Sequence, residues 1–123
     1  MTVPDRLMLL SVWFGACAMS PEMPDAKTLA GDWAVAEQGA SQSCAVKFSL
    51  HPRRNGHAVK ADRQCLGALR LDGVVLWRVA PDGIALASES GRTIAFFSRE
   101  GARYVLRRAD CPSLLLTRGA PSQ

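Results

Sequence analysis

Histidine is scarce in this chain: His51 and His57 are the only two in 123 residues. Neither sits in a His-Glu-x-x-His arrangement, no Cys-x-x-Cys occurs, and no nucleophile motif is present. A metal site of the chain's own therefore lacks a ligand set, and catalysis lacks a recognisable base or nucleophile, so an enzyme is not expected. Long apolar runs are missing too. The stretch from Leu7 to Phe14 is interrupted by Ser11 and falls far short of the roughly 20 residues a helix needs to cross a bilayer. Charge of one sign is not gathered anywhere. Fifteen Lys and Arg face eleven Asp and Glu for a net charge of +4, and basic residues are adjacent only at Arg53-Arg54 and Arg107-Arg108. A nucleic-acid binder would concentrate that charge on one face, so nucleic acid is not an expected partner. What remains is a chain long enough for one domain, with 48% hydrophobic and 21% charged residues. That balance allows a packed core and excludes bulk disorder.

The N-terminus places the chain outside the reducing cytoplasm. Arg6, the short apolar run and the small residues Gly15-Ala16-Cys17-Ala18 read as a signal peptide over residues 1–18. Two processing sites compete. Phe14-Gly15-Ala16-Cys17 resembles a lipobox, which would leave Cys17 as a lipidated N-terminal residue and an anchor to the outer membrane. Ala16-Cys17-Ala18 also satisfies an A-x-A rule, with cleavage before Met19. Under either, Cys17 is lost or lipidated, Cys44 and Cys65 form the natural pair in an oxidising compartment, and Cys111 is left over in a turn as an inert thiol. Residues 19–28 follow as an extended segment. Pro21 and Pro24 restrict it, and Asp25 is placed to cap one helical turn over Ala26-Lys27-Thr28-Leu29.

The remainder, residues 29–118, alternates like strands. Leu29-Ala30-Gly31-Asp32-Trp33 opens the first with a Gly-x-Trp, and Cys44 and Cys65 lie twenty-one positions apart. A bridge closing a loop of that length adds about 3 kcal/mol on the chain-entropy model. Ala45 to Leu50 has period two, with Val46, Phe48 and Leu50 on one face. His51-Pro52-Arg53-Arg54-Asn55-Gly56 reads as a turn of the Asn-Gly kind, and His57 to Asp62 as a weaker strand. Cys65 to Leu69 is either a short helical turn or an irregular strand. Val74 to Val79, Ile84 to Ala87, Thr93 to Ser98, Arg103 to Arg107 and Ser113 to Arg118 complete about eight strands, separated by Gly, Pro and Asp turns. With hardly a helix among them, the pattern predicts an all-β fold, a small eight-stranded antiparallel up-and-down barrel whose closure removes exposed edges. Its interior would be filled by its own side chains, Trp33 and Trp77 foremost. Residues 119–123 form a tail.

Trp77-Arg78-Val79-Ala80-Pro81-Asp82-Gly83-Ile84-Ala85-Leu86, followed by Ala95-Phe96-Phe97-Ser98-Arg99 and Arg103-Tyr104, resembles the bacterial alkaline-protease inhibitors. The Gly31-Asp32-Trp33 opening and the cysteine spacing are similar to the same family and its outer-membrane lipoprotein relatives. The resemblance implies a monomeric periplasmic inhibitor of a secreted serralysin-type zinc metalloprotease, an eight-stranded barrel with one disulfide, and no cofactor. It further implies that the mature N-terminal segment enters the protease cleft: Met19, Ser20, Pro21 and Glu22 make the contacts, and the free amine of Met19 ligates the target's zinc. Seven residues from Met19 to Asp25 reach about 23 Å when extended. A lipidated Cys17 would carry an acylated amine and leave no such ligand. The other reading is an anchored lipoprotein with a lipocalin-like binding or structural role, since Gly31-Asp32-Trp33 also resembles the opening of lipocalins. About 105 residues after the signal, however, make a barrel with little cavity.

Overall fold

In the computed structural model, residues 24–119 are described. They form a one-turn helix α1 (Ala26–Leu29), strands β1 (Gly31–Glu37), β2 (Cys44–Arg53) and β3 (Gly56–Ala61), a short helix α2 (Arg63–Ala68), then β4 (Leu76–Ala80), β5 (Gly83–Ala87), β6 (Thr93–Glu100), β7 (Arg103–Leu106) and β8 (Leu114–Arg118). Each strand pairs antiparallel with the next, and β8 returns to β1, closing an eight-stranded barrel. The Cys44–Cys65 disulfide ties the start of β2 to α2 across a Cα separation of 5.8 Å, within the ordinary range for a bridge. The expected fold and pairing are both present.

Alternation builds the interior. Trp33 faces Val46 across β1–β2, Phe48 faces Val59 across β2–β3, His57 faces Trp77 across β3–β4 and Ile84 faces Phe97 across β5–β6. Paired residues of an antiparallel ladder share a face, so these side chains enter the barrel together. Trp33, Phe48, Trp77, Ile84, Phe97, Leu114 and Leu116 are all buried there. The large rings make a continuous column. Phe48 stacks on Trp77 with centroids 4.8 Å apart, and Trp33 lies 5.7 Å from both Phe48 and Tyr104. The two indole N–H groups among the described residues are satisfied by backbone: Trp33 Nε1 donates to the Leu29 carbonyl and Trp77 Nε1 to the Ser49 carbonyl, each at 2.8 Å. The rings thus bury area without stranding a donor.

Two local expectations change and one open reading is decided. Leu50 is not on the core face: the ladder slips between Phe48 and Pro52, and Leu50 ends 45% exposed. The slip is filled by Ser49, whose hydroxyl donates to the Ala58 carbonyl and accepts from the His51 N–H. His51, Pro52 and Arg53 are strand residues, not turn; the hairpin loop is Arg54-Asn55 alone, with Arg54 at φ 49°. Of the two readings open for Cys65 to Leu69, the helical one holds: Cys65 lies on helix α2. Asp62 caps that helix, its carboxylate accepting from the backbone N–H of Gln64 and Cys65. At α1, by contrast, Asp25 holds the N-cap position but its side chain makes no cap bond.

A second buried layer lies outside the barrel. Ala58, Leu76 and Ala87 are paired in register on the outward face of β3, β4 and β5, yet all are buried. Arg78, on the same face, reaches the Asn55 side chain, the Gly91 carbonyl and Thr93 Oγ1. Arg53 pairs with Glu89, and Arg54 Nε donates to the Glu89 carbonyl. The tip of the β2–β3 hairpin is thereby strapped to the β5–β6 loop.

Candidate functional site

In an up-and-down barrel the start of β1 shares one end with the β2–β3, β4–β5 and β6–β7 hairpins. Into that mouth runs the segment that leads into the barrel. A helix of four residues cannot hold itself in water, and α1 has few bonds of its own: the Thr28 N–H donates to the Asp25 carbonyl at 3.0 Å and the Ala30 N–H to the Ala26 carbonyl at 2.9 Å. Its last carbonyls are orphans by position. Two side chains of the barrel satisfy them. Trp33 Nε1 takes Leu29, while the Arg118 guanidinium takes Ala30 at 2.9 Å through Nη1 and Thr28 through Nη2.

Register explains why Arg118 can do this. It pairs with Trp33 across β1–β8, which places it on the inward face at the last rung of the closing strand. The guanidinium carbon sits 4.4 Å from the centre of the Trp33 ring, a cation–π geometry. Gly31, at φ 120°, leaves the space: a Cβ there would lie 3.3 Å from Arg118 Nη1. Leu29 drops its side chain into the core beneath, 6% exposed. The mouth is thus plugged by Leu29, roofed by Arg118 and tied to the backbone of residues 28–30.

Beside this root lies a shallow groove lined by Asp25, Ala26, Lys27, Leu50 and His57. Leu50 supplies an exposed apolar patch. His57 turns its ring toward Trp77, with centroids 5.5 Å apart, and its buried Nδ1 has no hydrogen-bond partner among the described residues. Nothing in the groove forms a catalytic constellation, and the barrel interior below it is filled by side chains.

The sequence-predicted residues divide into two sets. Cys44, Cys65, Trp33 and Trp77 are placed as expected, as the disulfide and the core aromatics. Cys111 is unpaired and half-buried in the loop between β7 and β8. Met19, Ser20, Pro21, Glu22 and Cys17 lie outside the described residues. Arg118 was not singled out from sequence. The only hint is a basic residue closing the last apolar strand, and that says nothing of the ring it would meet.

The protein-family model described as Protease inhibitor Inh matches residues 23–118. A proteinase inhibitor of Dickeya chrysanthemi is 36% identical over 83% of this chain and 85% of its own length. An alkaline proteinase inhibitor of Serratia marcescens is 37% identical over 71% of this chain and 69% of its own. Among solved structures, a crystal structure of a psychrophilic marine protease MP inhibitor superposes with a TM-score of 0.63 at 26% identity, covering 76% of this chain and 98% of that one.

Proposed function

The chain belongs to the Inh protease inhibitor family, and from that premise we propose that it blocks a secreted serralysin-type zinc metalloprotease from the periplasm, with its N-terminal segment as the inhibitory element. The family match over residues 23–118 carries this reading. The barrel supports it by what it offers a partner: an interior filled by buried side chains, and at one mouth a chain root clamped to the wall. A segment anchored in that way can enter another protein's cleft without the barrel deforming.

The chemistry at the tip follows from the amine. A catalytic zinc keeps one coordination position open, and an α-amino group with a pKa near 7.7–8.0 is partly neutral at pH 7. After cleavage before Met19 its nitrogen can donate to that position, with Ser20, Pro21 and Glu22 along the cleft. Pro21 and Pro24 reduce the entropy lost when the segment orders. Phe14-Gly15-Ala16-Cys17 favours a second reading, a lipoprotein held at the outer membrane by Cys17. Its acylated amine could not ligate zinc, so inhibition would fall to the barrel's loops.

One preparation separates the two. The processed chain is purified from the producing cell, its N-terminus is read by mass spectrometry, and it is titrated against a serralysin-type protease. A free Met19, with stoichiometric inhibition that vanishes on deleting Met19 to Pro21 while the barrel melts at an unchanged temperature, is the expected result. An acylated Cys17 without inhibition would overturn the proposal.

A further inference from the structure

The root of the segment is held by the core ring of Trp33 and by Arg118, whose side chain the β1–β8 ladder does not need. Trp33 and Arg118 come together because β8 closes on β1, and between them they accept no part of the ladder: the backbone pairing of Trp33 with Arg118, and the Gly119 N–H to the Asp32 carbonyl at 2.9 Å, would stand with another side chain at 118. What the guanidinium adds lies entirely outside the ladder. It bonds to the carbonyls of Thr28 and Ala30, ninety and eighty-eight positions earlier in the chain, and rests on the indole that bonds the carbonyl between them. Three consecutive carbonyls are fixed in direction by one planar fork and one ring. Fixing them fixes the angle at which the chain before Thr28 leaves the mouth.

We infer that Arg118 is a positioning residue for inhibition: it presets the exit direction of the N-terminal segment, so that binding a protease does not have to order the backbone at Thr28 and Ala30 as well as the tip. The inference rests on the function proposed above. Arg suits the task better than Lys, because its planar guanidinium makes two bonds in a fixed fork and stacks on an aromatic face, whereas an ammonium is a single, strongly hydrated point charge. Without the fork, a one-turn helix with orphaned carbonyls frays, and each backbone residue that must then be re-ordered on binding weakens the complex by about tenfold.

The test uses the mature full-length chain in three forms: wild type, Arg118→Lys and Arg118→Met. Inhibition constants against a serralysin-type protease are measured beside melting temperature and amide hydrogen exchange at Thr28 to Gly31. The expected result is inhibition weakened about ten- to a hundredfold in Arg118→Met, one or two residues' worth of re-ordering. Arg118→Lys should lie between, and faster exchange should be confined to the root while the strands stay protected. If Arg118→Met does not fold, Arg118→Lys carries the comparison. Undiminished inhibition in a folded variant overturns the inference and leaves the proposed function standing. So does a loss that only tracks the unfolded fraction at the assay temperature, since that marks a merely structural role. A wild-type chain that does not inhibit at all removes the function and this inference together.

Discussion

Two apolar residues on different strands show how far a single position depends on its surroundings. Leu50 and Trp77 both belong to runs that read as strands, the first with period two and the second as a block of apolar residues. Trp77 is fully buried, stacked on Phe48 and bonded to the Ser49 carbonyl. Leu50 stands within a slip in the β2–β3 ladder with 45% of its surface exposed. Their replacement should therefore differ sharply. Trp77→Ala leaves a large void and removes the bond to the half-buried Ser49 carbonyl, a loss of about 3–5 kcal/mol. Leu50→Ser should change stability by no more than about 0.5 kcal/mol. Urea denaturation of the two variants, read against wild type, checks both. Equal losses would mean that Leu50 packs on the core after all. The period-two reading of β2 was right through Phe48 and failed at Leu50, which falls within the slip between Phe48 and Pro52, where regular pairing with β3 is interrupted.

At the scale of elements, the connections decide what the strands alone leave open. Helix α2 sits in the long link between β3 and β4. Its six residues are held by the Asp62 cap, by Leu66 in the core and by the bridge from Cys65 to the start of β2. A helix that short contributes little by itself. Its place is set by its ties. Changing both cysteines at once, Cys44→Ser with Cys65→Ser, should lower stability by about 3 kcal/mol, or on the order of 10–20 °C in melting temperature for a domain of this size, while strand content by circular dichroism is retained. A melting temperature unmoved by the pair would show that the link is held without the bridge. The Cys65 stretch was ambiguous from periodicity because six residues are too few to distinguish 3.6 from 2.0. An Asp directly before Arg63-Gln64-Cys65-Leu66 was the local sign of a helix start.

For the whole molecule, closure is the decisive property. A sheet of eight strands with no free edge encloses a column of rings, and the space that a lipocalin-like carrier would keep for a ligand is taken by Trp33, Phe48, Trp77 and Phe97. An environment-sensitive apolar dye or a long-chain fatty acid titrated into the folded protein should accordingly give no saturable one-to-one binding. A stoichiometric interior complex would contradict the filled barrel. The residues that most resemble a working surface lie on the outside of that cylinder, at the mouth where the N-terminal chain joins it. Much of this could be read in advance: strand number, turn positions and the cysteine pair follow from local spacing and elimination, since alternation and Gly-Pro-Asp turns are properties of neighbouring residues. What local pattern could not supply is which distant positions meet. Arg118 lands on Trp33 and on the carbonyls of Thr28 and Ala30 only because the eighth strand pairs with the first in one register. That register is chosen by the packing of the entire core, in which each rung must bury its inward side chain against all the others.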